Sequence, residues 1–515
     1  MIEIGNRREP LWDDYLIDEA RSNAEKRCHQ LETKGPIFAF DKPWERRQVT
    51  YHHIVCQPDG EMRMYYIAVG DQTAPQESTE GGTRANACAT GSVRVCMITS
   101  RDGLHWERPS FGVCSFDGST ENNIVFDSAI ASGDGYANDS LDNFYVFRDE
   151  KPGIPEQQRY KAVYLRSRIV EDRPIKPLVD RSLYCAFSAD GIHWNCGYRF
   201  DLDGSFDSLN TVHYLPEKDT YYFFFRGLHT YNTTAFADIE FYNLTKQRFR
   251  DIRIAESRDF RTFTEQKLLD FQGKPDYELY TNVISRYYRA PHIFTGFPTR
   301  YTERHAWPDS FDKMSPVNLE RRKKRAEREL RMGTAVTDCV FMSSRDGYIW
   351  DRCESAFMRP GPETDNNWVY GDCYPALGMY EIPGVLPGQE PVIAMTSNLA
   401  LQGFDYRHLI LHTIRRDGFI SRHADGEERT LVTRLFIPRA KKLYMNFSTS
   451  ARGYIRVEVL DQADHPMSKL CSDEIFGDNT DREITFPGDF ATCEHHTIRL
   501  RIHLRDADLY ALRFE

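Results

Sequence analysis

Two groups of residues in this 515-residue chain have types and spacing suited to chemistry. In SRDGLHWERP, Ser100, Asp102 and His105 bring a nucleophile, an acid and a base into one short segment. The second group is a series of carboxylates, each just ahead of an apolar run. Asp41 and Glu45 stand in DKPWERRQVTYHH, Asp142 in NDSLDNFYVF with Asp139 beside it, and Asp207 in GSFDSLNTVHYL. Glu278 stands in PDYELYTNVISRYY, and Asp365 and Asp372 in ETDNNWVYGDCYPAL. Carboxyl groups that converge can divide acid and base work, one held protonated by burial or a neighbouring anion while another stays ionised. Which group is catalytic depends on the elements that carry it.

The Ser-Asp-His segment is repeated. The pattern S-x-D-G-x-x-W begins at Ser100, Ser188 and Ser344, and a degraded copy, SRDFRTF, begins at Ser257. Each copy follows a short apolar run, VRVCMITS, LYCAFS, CVFMSS or IRIAES, and Asp-Gly is a strong hairpin signal. A geometry that recurs at four places cannot be one active site, so the box is read as a turn. Intervals of 88, 69 and 87 residues suit four-stranded sheets with loops. Radially repeated four-stranded sheets make a β-propeller. With RRQVTYHHIVCQPDGEMRMYYIAV opening the first sheet and ALGMYEIPGVLPGQEPVIAMTS opening the last, the count is five blades, and LHTIRRDGFISRH reads as a worn fifth box.

From about residue 425 the boxes stop and short alternating strands follow, such as KLYMNFST, YIRVEVLD and TIRLRIHL. The expected fold is therefore all-β, a five-bladed propeller over residues 1–424 followed by an antiparallel β-sandwich over 425–515. The one helical segment, LERRKKRAERELRM, reads as a solvated excursion between blades four and five. Residues 71–91, poor in apolar side chains, read as a loop able to cover a pocket.

A net charge of −11 and a pI near 5.9 argue against a nucleic-acid surface. With no leader-like N-terminus and no long apolar stretch, the chain reads as cytoplasmic, away from membranes, and compatible with a homo-oligomer. The twelve cysteines are scattered without metal spacing and read as reduced, buried thiols. No zinc, EF-hand or phosphate-loop motif is present, so no cofactor is expected.

Boxed blades followed by a sandwich resemble the glycoside-hydrolase-like five-bladed propellers, the superfamily of invertases, arabinanases and β-xylosidases. The segments LWDDYLID, DKPWE, RYKAVYL, YELYTN and RAPHIFTGFPTR also look like an uncharacterised bacterial branch of that group. The W-x-N-D-P-N-G opening of the invertases is absent. The resemblance implies three carboxylates from successive blades converging at one end of the central channel, and in some members a channel calcium. It points to Glu278 as general acid, flanked by Tyr277 and Tyr280, to Asp41 or Glu45 as base or nucleophile, and to Asp142 or Asp207 as the orienting third. Trp44, Trp368, Tyr51 and Tyr370 are candidates to stack on a sugar, with His52, Arg289, His292 and Asp372 as further substrate contacts and a small carbohydrate as the substrate. Two other enzymes use related parts. A phosphorylase would gather arginines such as Arg46, Arg289 and Arg300, and a sialidase, which resembles this chain in its boxes but has six blades, would need three, for which Arg226, Arg289 and Arg300 are available. A binding propeller without catalysis remains a third reading.

Overall fold

The computed structural model describes residues 2–46, 48–70, 93–131, 140–171, 178–230, 248–304, 306–398 and 407–515; the expected lid at 71–91 lies outside them. Five antiparallel sheets follow one another along the chain. Blade one is Gln48–Cys56, Met62–Val69, Val93–Ser100 and Ile124–Asp127; blade two is Ser140–Arg148, Tyr160–Glu171, Leu178–Ser188 and Asn195–Arg199. Blade three is Thr211–Leu215, Thr220–Thr230, Arg248–Ser257 and Lys267–Leu268, and blade four is Ile284–Tyr287, Ala290–Gly296, Met342–Ser344 and Asp351–Arg352. The middle strands, MRMYYIAV and YYFFFR for example, are apolar on both faces because each sheet packs against a blade on either side.

Blade five closes the ring with a borrowed strand. Tyr374–Pro375 and Tyr380–Ile382 both pair with Val392–Asn398, His408–Ile414 follows, and the outermost strand is Glu32–Ala39 from the other end of the chain. The segment read as a worn fifth box is instead a crossing. After His408–Ile414 the chain turns at Asp417 and enters Ile420–Ala424, which belongs to the C-terminal sheet. Asp417 is fully buried there, accepting from Arg8, Arg289, Tyr287 and Asn446. Burial alone would raise its pKa, but Arg289 and Arg8 hold it below the usual carboxylate range.

The C-terminal strands assemble into one eight-stranded sheet around its own core of Leu443, Phe447, Ile455, Val457, Leu500 and Leu504. Leu443–Leu460 and Arg499–Phe514 are its long central pair. The N-terminal segment takes part: Arg8–Pro10 pairs with Arg499–Phe514, and Glu25–Cys28 with Ile420–Ala424, bridging the division at residue 424.

The helical segment lies inside blade four, between its second and third strands, rather than after it. It is two helices, Pro316–Arg328 and Leu330–Thr334, broken where Glu329 is extended. Its charged surface is not wholly solvated: Asn318 and Arg322 are buried, donating to the carbonyls of Asn367 and Trp368. No helix among the described residues is long and apolar enough to cross a membrane.

The boxes are turns with a second task. Asp102 Oδ1 accepts from the amides of Leu104 and His105 at 2.8 Å, Ser100 Oγ accepts from the amide of Gly103, and Trp106 Nε1 donates to the Gly103 carbonyl. The same bonds recur around Asp190 and Asp346, and the Asp259 turn keeps the amide bonds of Arg261 and Thr262. Three of the four turns also hold the preceding blade through a carbonyl. Tyr380 of blade five donates to the Gly103 carbonyl at 2.9 Å, Tyr65 of blade one to that of Gly191 at 3.0 Å, and Tyr198 of blade two to that of Phe260 at 3.0 Å. Gly103 has φ 73° and a Cβ there would lie 2.0 Å from the Tyr380 ring, so only glycine fits.

Candidate active site

In a propeller the inner strands begin at one end of the central channel, and here that mouth is marked by backbone strain. Tyr51, Asn143, Phe206, Val283 and Cys373 have φ of 54°, 52°, 51°, 43° and 56°, one in or just before the inner strand of each blade. A left-handed backbone at a non-glycine residue costs on the order of 1–3 kcal/mol, most for a β-branched one such as Val283. It persists here because side chains lock neighbouring blades together. Asn143 Nδ2 donates to the Phe206 carbonyl at 3.1 Å, Asn282 to that of Leu209 at 2.9 Å, Thr299 to that of Cys373 at 3.0 Å, and Asn398 to that of Val49 at 2.6 Å. Every blade is tied to its neighbour at this ring.

Below the ring the channel narrows to a void of about 10 Å³ among Tyr51, His52, Leu209, Thr281, Val283, Tyr374 and Asn398, roughly the room for one water. Around it, buried polar atoms lack partners among the described residues: Thr50 Oγ1, His52 Nε2, Asn143 Oδ1, Arg226 Nε, Tyr374 Oη and Asn398 Oδ1. A buried polar group without a hydrogen bond costs about 1–3 kcal/mol. Burial pushes the His52 imidazole down to about 3, so it stays neutral at physiological pH.

Three of the expected carboxylates stand along this mouth on successive blades. Asp142, buried, accepts from the Asn143 amide at 2.7 Å, and Asn143 in turn reaches Phe206, the neighbour of Asp207. The Asp207 carbonyl accepts from Arg226 Nη1, and the Arg226 guanidinium lies 4.4 Å from the centre of the Tyr280 ring. On the other side Arg250 lies 5.2 Å from the same ring and is ion-paired with Glu278. A tyrosine cluster completes the wall from blade five: Tyr370 and Tyr280 share a hydroxyl–hydroxyl bond of 2.5 Å, and the rings of Tyr280 and Tyr374 are 5.6 Å apart.

The remaining expected site residues lie elsewhere. Asp41 is 62% exposed, beside Lys42 and Arg108. Glu45 is 0% exposed and saturated, accepting from Tyr66 Oη at 2.6 Å, Arg108 at 3.0 Å and the Lys42 amide at 2.9 Å in a turn that caps itself. Burial raises its pKa, with Arg108 opposing. Trp44 packs edge-on to Phe116 and donates to Asn123 at 3.0 Å, within blade one. Trp368 is partly exposed on the loop held by Arg322, and Asp365 is bonded to Ser315 at the start of the inserted helix. Asp372 turns into its own loop, accepting from the Val369 amide at 2.9 Å; burial pushes its carboxyl up to about 7.

Arg289 and His292 belong to the opposite end of blade four. Arg289 pairs with Asp417 at 3.0 Å and Glu381 at 3.3 Å, and His292 with Glu9 at 3.3 Å, in a cleft shared with Arg7, Arg8 and Arg513. Arg300 is held by Asp338 in a two-pronged pair at 2.8 and 2.6 Å. Arg226, Arg289 and Arg300 therefore do not form one cluster. Among the described residues no group of three or more His, Cys, Asp or Glu could hold a metal ion.

Several mouth residues had no sequence signal of their own. Arg250, Tyr301, Tyr374 and Asn398 come together across separations far longer than any motif; only their places at the mouth-side ends of strands would have selected them.

No family model and no curated protein matches the chain. Among solved structures it is similar to an N-acetylgalactosamine deacetylase from F. plautii, with 11% identity, 74% of this chain and 94% of that one covered, and a TM-score of 0.40. A family 32 β-fructofuranosidase of Bombyx mori has 8% identity, 96% coverage of both chains and a TM-score of 0.37. A family 117 glycoside hydrolase of Zobellia galactanivorans has 10% identity, coverage of 76% and 90%, and a TM-score of 0.37. No residue role is carried over from them.

Proposed function

We propose that this protein is a glycoside hydrolase that removes residues from the end of a small oligosaccharide or glycoside at the channel mouth. The observation that carries the proposal is the set of three carboxylates, Asp142, Asp207 and Glu278, on successive blades beside a strained ring of unpartnered buried polar groups. Hydroxyl, amide and neutral imidazole groups with tyrosine rings suit a polyol with one apolar face. Tyr51, Leu209 and Val283 close the channel to a narrow void, which favours a chain end over a threaded polymer.

Cleavage of a glycosidic bond needs one carboxyl to protonate the leaving oxygen while another carboxylate, or water that it activates, attacks the sugar carbon from the opposite face. Glu278, ion-paired with Arg250, takes the part of base or nucleophile in this reading. The general-acid role first expected for Glu278 passes to Asp142, which is buried, while Asp207, half-buried beside Arg226, orients the sugar. Asp41 and Glu45 have no part in this reading, since one is exposed and the other fully bonded. The test is a panel of aryl glycosides and short oligosaccharides with wild-type protein and Glu278→Gln. Release of aglycone or reducing sugar by the wild type, falling at least a hundredfold in the variant, is expected. Turnover that survives Glu278→Gln would remove the assignment.

A further inference from the structure

We infer that the mouth recognises an acidic sugar, one whose ring carries a carboxylate, and that Arg226 is the residue that reads it. The inference rests on the sugar-site reading above and sharpens its substrate class.

Arg226 is 5% exposed at the mouth-side end of Thr220–Thr230. Several other buried arginines are neutralised by a carboxylate, Arg8 by Asp417, Arg250 by Glu278 and Arg253 by Asp251, while the buried Arg322 has its bonds met by the carbonyls of Gly333 and Trp368 and by Asn318. Arg226 has no carboxylate partner among the described residues. Its contacts are Nη1 to the Asp207 carbonyl, its backbone amide to Asn210, and its face on Tyr280. Asp207 therefore meets it through a carbonyl oxygen, with no ion pair between the two side chains.

A guanidinium always carries its charge, and burying it without a counter-ion is unfavourable by several kcal/mol. The stack on Tyr280 and the bond from Nη1 fix its plane and leave the Nε–Nη2 edge without a hydrogen bond to any described residue. Nε, buried, has no partner, and Nη2 makes no bond to any described residue. Nε–H and Nη2–H together form the side-on fork that matches a carboxylate with two parallel hydrogen bonds. Tyr374 Oη and Asn398 Oδ1, also unpartnered, stand in the adjoining wall of the void. One of these is a donor or acceptor and the other an acceptor, which suits the hydroxyl groups of the ring that bears the acid.

Equilibrium binding tests this apart from catalysis. Titration calorimetry of the full chain with D-glucuronate and D-galacturonate is compared with D-glucose, D-galactose and inorganic phosphate. At least one uronate is expected to bind ten times or more tightly than its neutral counterpart and than phosphate. Arg226→Lys, which keeps the charge and loses the fork, should remove that preference with an unchanged circular dichroism spectrum. Equal binding of uronate and neutral sugar, absence of uronate binding at millimolar concentration, or a preference unaltered in Arg226→Lys would overturn the inference. Tighter binding of phosphate would overturn it too, assigning the fork to an inorganic anion. Loss of hydrolysis in every assay would remove the catalytic reading and leave the binding preference standing; hydrolysis of neutral glycosides alone would do the reverse.

Discussion

Asp372→Asn offers a quantitative test of how the loop ahead of the first strand of blade five is built. The Asp372 carboxyl is 3% exposed, accepts from the Val369 amide at 2.9 Å, and is pushed by burial from an ordinary 3.8 to about 7. Because the folded form holds its proton more tightly than the unfolded form, the associated stability is complete below pH 4 and is lost as the pH rises through 7. At about 1.4 kcal/mol per pH unit, the displacement corresponds to about 4 kcal/mol as an upper bound. Asparagine keeps an oxygen for the Val369 amide and cannot ionise. Urea unfolding of both proteins at pH 4 to 8 should therefore show the variant gaining on the wild type by up to about 4 kcal/mol across that range. Taking the difference between the two proteins removes the titration of every other group. Parallel curves would mean that the carboxyl is not held in the environment described.

Three further outcomes follow from the fold. His105→Ala should leave activity unchanged and stability within about 0.5 kcal/mol, since His105 is an exposed turn residue; lost activity would revive the Ser-Asp-His reading. Gly103→Ala should destabilise by about 2–4 kcal/mol in urea unfolding, from left-handed strain and the clash with Tyr380, and a neutral result would contradict the inter-blade grip. Glu45→Gln should destabilise by about 3 kcal/mol, by leaving Arg108 without its buried partner, while the kcat of the folded protein stays within twofold. A selective loss of kcat would restore Glu45 to the site.

The blades were legible because their signals are local. An Asp-Gly pair needing a left-handed glycine recurs at the same place in the sheet, and the strand before it, Val93–Ser100 in blade one, is buried on both faces. The outer strand of blade five was not, because ETKGPIFA is largely exposed and its partner His408–Ile414 lies more than 350 residues away in sequence. The same closure explains the placing of Asp41 and Glu45. They stand ahead of the first inner strand in sequence, yet the segment around them finishes the outer edge of blade five and caps a turn on blade one. Asp142, Asp207 and Glu278 came from the rule that inner strands begin at the mouth, the same rule that also selected Asp41 and Glu45. The Arg226–Tyr280–Arg250 stack depends on side chains from two blades and was invisible to spacing.

The central claim is that chemistry occurs at the mouth, by the carboxylates of blades two to four. The most direct test is kcat/KM on a substrate found in the glycoside panel, for Asp142→Asn, Asp207→Asn and Glu278→Gln beside Asp41→Asn, with folding checked by circular dichroism. The account predicts losses of about 10²–10⁴-fold for the first three and little change for Asp41→Asn. Activity retained in the mouth variants, or abolished in Asp41→Asn, would contradict it.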